Sequence, residues 1–269
     1  MSSVFEHLDL IKEVLRRTPF GLITDVDGTI SKTAPTPQQA KVSPICRRYL
    51  AVLSKHLALV AAISGRPAGK VKNMLKIEGV VYIGNHGLER WVEGHSEFTR
   101  DTRGYPELIK AVLRELTPLL ATEGIIIEDK GVTASIHYRL CHEPQSVEKH
   151  ILAALQSLPL AQRLRIMQHR MAIELLPPVE VNKGTATLDL IKGYDLQGGI
   201  YLGDDLTDID AFKAIHSASN SSDFQGLAIG ITSQEMPEGL LAEADFTLSG
   251  ISDVERFLKW ISQVVLAPD

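Results

Sequence analysis

Phe20-Gly21-Leu22-Ile23-Thr24-Asp25-Val26-Asp27-Gly28-Thr29-Ile30 is the stretch that decides how this chain is read. Its apolar run stops at two aspartates one residue apart, followed by Gly-Thr. A short apolar run closed by turn residues reads as a buried strand. Alternation then sends Asp25 and Asp27 to the same side, past the carboxyl end of that strand. Open α/β sheets bind their ligands at that end. Two carboxylates so placed repel each other unless a cation or a proton lies between them, and hard oxygen ligands suit Mg²⁺. An ordinary strand-to-turn junction is the alternative, since Asp-x-Asp-Gly is good turn chemistry.

Working outward, the same arrangement recurs. A second buried strand over 57–63 ends in Ser64-Gly65-Arg66-Pro67, a hydroxyl, backbone N–H groups and an arginine at a helix entrance. Such a set holds phosphate; capping by Ser64 and a solvated Arg66 is the plainer reading. A third strand over 80–83 runs into Gly84-Asn85-His86-Gly87-Leu88-Glu89. Further on, Asn182-Lys183-Gly184-Thr185 opens a helix. Lys183 opposes the helix dipole there, which calls for an anion nearby. A strand over 198–202 ends in Gly203-Asp204-Asp205-Leu206-Thr207-Asp208-Ile209-Asp210. Each like-charge pair at about 4 Å costs on the order of 4 kcal/mol at a surface-like dielectric, so capping does not account for the whole acidic cluster.

Between these segments the rhythm changes. Residues 105–121 and 147–158 have helical spacing, and 125–130, 133–138, 164–168 and 171–176 read as strands. Helix, two strands, helix, two strands is too long for a loop and reads as an inserted α+β unit. The expected organisation is a core of 1–100 and 180–269 with an inserted domain of 101–179. Within the insert Glu128, Lys130 and Glu174 stand near strand ends, where solvated edge charges are the default.

The chain has 269 residues, 44% apolar and 23% charged, with a net charge of -5. That is an ordinary globular composition with no basic footprint for nucleic acid or an anionic membrane. No apolar run approaches the ~18 residues of a spanning helix. Residues 1–17 read as an amphipathic helix with Val4, Leu8, Ile11 and Leu15 on one face, not as a signal peptide. Cys46 and Cys141 are the only cysteines. With no secretory signal, they point to reduced thiols in a cytoplasm. A cytoplasmic monomer without nucleic-acid or membrane partners is expected.

The ordered set of strand ends resembles the haloacid dehalogenase superfamily of phosphohydrolases. Asp25-Val26-Asp27-Gly28-Thr29 stands as motif one, Ser64 as motif two, Lys183 as motif three and Gly203-Asp204-Asp205 as motif four. The Gly84–Glu89 loop, Glu128 with Lys130, and His137-Tyr138-Arg139 are similar to the trehalose-6-phosphate phosphatase family within it. The resemblance implies a Rossmann-like core with a parallel sheet and an inserted α+β cap of the second type. It implies Asp25 as nucleophile and Asp27 as general acid and base. It further implies Ser64 and Lys183 on the phosphoryl oxygens, with Mg²⁺ on Asp25, the Asp27 carbonyl and Asp204. Arg66, Asn85 and His86 from the core and Glu128, Lys130 and Glu174 from the cap would bind the sugar, and cap closure would exclude water. Leu175-Leu176-Pro177 and Ile209 depart from the family's common pattern, which bears on the sugar rather than the phosphoryl chemistry. Sucrose phosphate, a glycosyl-phosphoglycerate held through Arg139 and Arg170, and a catalytically silent sugar-phosphate-binding module stay open as alternatives.

Overall fold

A computed structural model describes residues 2–169, 171–221, 223–233, 237 and 239–267. In chain order the elements are α1 (Leu8–Leu15), β1 (Phe20–Thr24), α2 (Pro44–Leu53), β2 (Leu59–Ile63), α3 (Ala68–Leu75), β3 (Val80–Gly84), β4 (Glu89–Val92) and β5 (His95–Phe98). There follow α4 (Tyr105–Leu116), β6 (Ile126–Asp129), β7 (Ala134–His137), α5 (Pro144–Ser157), β8 (Arg165–His169) and β9 (Ala172–Leu176). The chain closes with α6 (Lys183–Gly193), β10 (Gly198–Gly203), α7 (Asp208–Ser221), β11 (Gln225–Thr232), α8 (Leu240–Glu243), β12 (Phe246–Ser249) and α9 (Gly250–Leu266).

Two compact units result. The first comprises Met1–Ala34, Ala40–Glu97 and Val181–Asp269. Its sheet has the order β12-β11-β10-β1-β2-β3-β4-β5. The sheet is parallel from β12 to β3 and turns antiparallel at β4. Strand β1 explains the layering. Every residue in it is buried, so alternation divides its side chains between two cores rather than between core and water. Leu22 joins Val60, Ile200 and Leu202 under Ile11 of α1, Leu50 of α2 and Phe257 of α9. Ile23 faces the other way, with Ala61 and Tyr201, against Leu190 of α6 and Phe212 of α7. The chain leaves β1 toward β2 and returns on the other side as β10, so the sheet's switch point falls beside β1.

The second unit comprises Pro35–Gln39 and Phe98–Glu180. Its antiparallel sheet has the order β6-β7-β9-β8. Ile136 and Ile173, paired across β7 and β9, pack under Ile109 and Val112 of α4 and Ile151 and Leu155 of α5. The alternate residues Glu128, Ser135 and Glu174 stand directly opposite one another on β6, β7 and β9, and therefore on the other face.

Several expected elements differ in detail. The helix expected over 1–17 is a 3-10 turn, Val4–Glu6, followed by α1, because His7 leaves the helical region at φ -130° and ψ 29°. The helix expected over 105–121 is α4 continued by a 3-10 turn, Thr117–Leu120, with Pro118 at its start. The hairpin of β4 and β5 has no counterpart in the sequence reading. Its two-residue turn is Glu93-Gly94, both at positive φ, a pair with weaker turn signature than Asn-Gly, and its strands are largely polar. Among the described residues no helix is long and apolar enough to cross a membrane.

Strand β3 meets the entrance of α3 closely. A Cβ on Gly84 would lie 2.1 Å from the Ala68 nitrogen and 2.7 Å from the Arg66 oxygen, both backbone atoms that cannot swing away. Gly84→Ala is expected to lower the unfolding free energy by about 1–3 kcal/mol, the range for overpacking. Urea denaturation measures it, and an unchanged midpoint would show that the two segments separate without cost.

Candidate active site

The carboxyl ends of β1, β2, β3 and β10 lie side by side in the sheet. The loops leaving them carry Asp25, Ser64, Asn85 and Asp204. Asp25 continues the ladder, its backbone N–H donating to the Leu202 carbonyl at 2.8 Å. Its buried carboxylate accepts from Lys183 Nζ at 2.7 Å. Lys183 is the first residue of α6, held there by a capping box in which Asn182 and Thr185 bond reciprocally. The anions that balance Lys183 are Asp25 and Asp208, the latter also at 2.7 Å.

Asp208, which the sequence reading left without a role, is the hub of this cluster. One oxygen accepts from Lys183 and from the Tyr201 hydroxyl at 2.8 Å. The other accepts the backbone N–H groups of Asp204 at 3.0 Å and Asp205 at 2.9 Å. Both oxygens are thus engaged, so Asp208 braces the acidic loop and the lysine. Two signals could have revealed it: an acidic residue at a helix start, and a tyrosine inside a buried strand whose hydroxyl needs a partner. Asp204 accepts from the Thr29 hydroxyl at 3.0 Å. Gly28, at φ 89°, lies so close that a Cβ there would fall 1.9 Å from Asp204 Oδ2.

Burial and like charge together set the electrostatics of this cluster. Burial raises the Asp25 carboxyl to about 8; Lys183 opposes the rise, and Asp208 and Asp27 add to it. Burial, then the charges of Asp25, Asp208 and Asp205, also push Asp204 well above its usual value. Burial works to lower Lys183, but Asp208 and Asp25 overcome it and hold the ammonium well above its ordinary value. Ligand atoms of Asp25, Asp204 and Asp208 lie within 4.8 Å of one another. Donors engage both oxygens of Asp208 but only one each of Asp25 and Asp204, so these two could offer hard oxygen ligands. A carboxylate pair of that kind fits Mg²⁺, which keeps several waters.

At the next strand ends the loops are tied together. His86 N–H donates to the Ser64 carbonyl at 3.0 Å, and Asn85 N–H to the Arg66 carbonyl at 2.9 Å. Ser64 Oγ accepts the Arg66 N–H at 3.2 Å. The Arg66 guanidinium makes a two-pronged contact with Asp27, Nε to Oδ2 at 2.5 Å and Nη2 to Oδ1 at 2.8 Å. Residues 85, 86 and 87 all have positive φ, at 49°, 58° and 110°. For asparagine and histidine that conformation stores strain, a common mark of functional loops.

In the second unit Glu174 accepts from Lys130 Nζ at 2.6 Å and from the Ser135 hydroxyl at 2.7 Å. His137 Nε2 lies 3.4 Å from Glu128 Oε2. Glu128 and Glu174 thus share one face of one sheet, with Lys130 reaching Glu174 and His137 facing Glu128, rather than standing as separate solvated charges. Arg170 lies outside the described residues.

The trehalose-phosphatase family model matches residues 23–238. A probable trehalose-phosphate phosphatase 3 of Oryza sativa subsp. japonica is 27% identical over 268 residues, covering 91% of this chain and 70% of the relative. Trehalose 6-phosphate phosphatase RA3 of Zea mays is 27% identical over 259 residues, covering 88% of this chain and 68% of the relative. The solved C-terminal domain of the C. albicans trehalose-6-phosphate phosphatase shares the fold. It has a TM-score of 0.76 and 20% identity, covering 94% of this chain and 96% of that one. With its motif-bearing strand ends inside the matched span, this chain belongs to the trehalose-phosphatase family of phosphoric monoester hydrolases.

Proposed function

We propose that this chain hydrolyses trehalose 6-phosphate to trehalose and phosphate, with Mg²⁺ and through an aspartyl-phosphate on Asp25. The observation that carries the reading is the buried Asp25 carboxylate at the end of β1, bonded to Lys183 and crowded by Asp204 and Asp208. A buried carboxylate beside a fixed lysine suits nucleophilic attack on an anionic phosphorus.

Asp25 attacks the phosphorus in line; a P–O bond to Asp25 forms and the P–O bond to the sugar breaks. Asp27 gives its proton to the departing sugar oxygen. Water then attacks the phosphoryl group, Asp27 takes its proton, and Asp25 leaves as a carboxylate. Lys183 and the Ser64 hydroxyl hold phosphoryl oxygens as charge gathers on them. Asp25, Asp204 and the backbone carbonyl of Asp27 would hold Mg²⁺, which when bound supplies positive charge between nucleophile and phosphoryl group. Asp27 and Arg66, paired here, would separate as substrate enters, freeing Asp27 to carry a proton and Arg66, with Asn85 and His86, to meet the sugar from the first unit. By the family resemblance the second unit would serve as a cap, its Glu128, Lys130 and Glu174 offered to hydroxyls that both donate and accept. Membership of the family, whose relatives carry trehalose-phosphate phosphatase names, favours this substrate.

Phosphate release from trehalose 6-phosphate, beside sucrose 6-phosphate, glucose 6-phosphate and a glycosyl-phosphoglycerate, tests the reading. Selective release is expected, abolished by EDTA, reduced at least ~10³-fold in Asp25→Asn and about 10²–10⁴-fold in Asp27→Asn. Release from another sugar phosphate alone would move the substrate, and activity surviving in Asp25→Asn would overturn the nucleophile. In Glu174→Ala, trehalose 6-phosphate turnover is expected to fall by about tenfold or more, the worth of hydrogen bonds to a charged group, with a smaller loss on p-nitrophenyl phosphate. Equal loss on both would remove Glu174 from sugar binding.

Burial of Asp25 beside Asp208 and Asp27 has its own signature. With metal chelated, folded Asp25 titrates near 8 against 3.8 for the ordinary group, so the folded state holds more protons across that window. Stability is therefore lost as pH rises through it. In EDTA the melting temperature of Asp25→Asn is expected to gain on that of the wild type from about pH 4 to about pH 8, and Mg²⁺ to close the gap. A gap constant with pH would contradict the arrangement.

A further inference from the structure

Glu89 is a buried carboxylate that the reaction above does not use. It opens β4, paired with Gly84 at the end of β3. One oxygen accepts the Ala68 backbone N–H at 3.0 Å, at the entrance of α3, and the Asn85 carboxamide Nδ2 at 2.7 Å. Its other oxygen accepts from the Ser96 hydroxyl on β5. The polar hairpin therefore carries an acceptor and its anchoring hydroxyl to the back of the loop pair. Asn85 and His86 sit at positive φ, a conformation that lasts only where surroundings impose it. The Asn85 carboxamide has a rotatable side chain, and Glu89 sets which way its amino group points.

We infer that Glu89 is a positioning residue: through Asn85 it holds the Asn85–His86 turn in register with the Ser64–Arg66 loop and so governs sugar binding. The inference rests on the sugar-phosphatase reading and adds to it a residue that touches neither substrate nor metal. The chemistry at 89 is that of an acceptor, not of a charge alone. A glutamine would keep its carbonyl toward Ala68 and Asn85 and turn its amino group to Ser96, whose hydroxyl can accept as well as donate. A leucine fills the volume and leaves the donors without a partner.

The test is steady-state kinetics on trehalose 6-phosphate and p-nitrophenyl phosphate for the wild type, Glu89→Leu, Asn85→Ala, their double variant and Glu89→Gln. Glu89→Leu is expected to raise KM for trehalose 6-phosphate about tenfold, as loss of a charge-assisted hydrogen bond does. Its kcat should change far less, and its loss on p-nitrophenyl phosphate should be smaller. Because Glu89 acts through Asn85, the double variant should be no worse than Asn85→Ala, the non-additivity of residues in one network. Glu89→Gln should recover most of the loss. If Glu89→Leu does not fold, Glu89→Met, closer in shape, replaces it and should show the same KM rise, since a thioether is only a weak acceptor for the Asn85 and Ala68 donors. Additive losses, equal losses on both substrates, or a glutamine as poor as leucine overturn the inference while the wild type stays active. A wild type inactive on all sugar phosphates overturns the sugar-phosphatase reading and this inference with it.

Discussion

Lys183 is held between Asp25 and Asp208 inside the protein, and much of the site depends on that contact. Burying carboxylates is expensive, and a buried ion pair contributes little net stability once desolvation is counted. Burial above all, and then the negative charge that one lysine leaves among Asp25, Asp204 and Asp208, raises the Asp25 and Asp204 carboxyls. Such an arrangement is poor as a stabilising device and apt as a receiver for a cation and a phosphoryl group. The surrounding structure then serves to hold it: the capping box aims Lys183 inward, and Asp208 ties the lysine, Tyr201 and the acidic loop to one carboxylate.

The sheet supplies the geometry. Full burial of β1 makes its alternate residues serve two cores, so both faces are covered by helices and only the strand ends reach a ligand. Because β1 lies between β10 and β2, loops distant in sequence become neighbours without long excursions. Close backbone approach does the rest, at Gly28 against Asp204 and at Gly84 against the entrance of α3. The second unit follows another rule: antiparallel register sets Glu128, Ser135 and Glu174 in one row opposite the helices, where Glu174 gathers Lys130 and Ser135 and Glu128 faces His137.

Much of this was legible in the residues. Buried strands announced themselves by short apolar runs, and their ends by aspartate, glycine and proline. A change of period set the inserted unit at 101–179; the compact unit comprises Phe98–Glu180 together with Pro35–Gln39, a segment no local pattern ties to it. Hairpin β4–β5 escaped because polar strands joined by Glu93-Gly94 give neither an apolar pattern nor a strong turn signature. Asp208 was visible as one aspartate among several, but nothing local distinguished it from Asp205 or Asp210.

By itself, then, the sequence determined the class of fold, the ends of its buried strands and the residue types placed there, because these follow from periodicity and turn preferences acting over a few residues. Only the tertiary structure decided the partnerships: Lys183 with Asp25 and Asp208, Arg66 with Asp27, Lys130 with Glu174, and Glu89 with Asn85 and Ser96. Several of these pairs are far apart along the chain, and hydrogen bonds at such separations are set by strand order, register and burial, which no local pattern encodes.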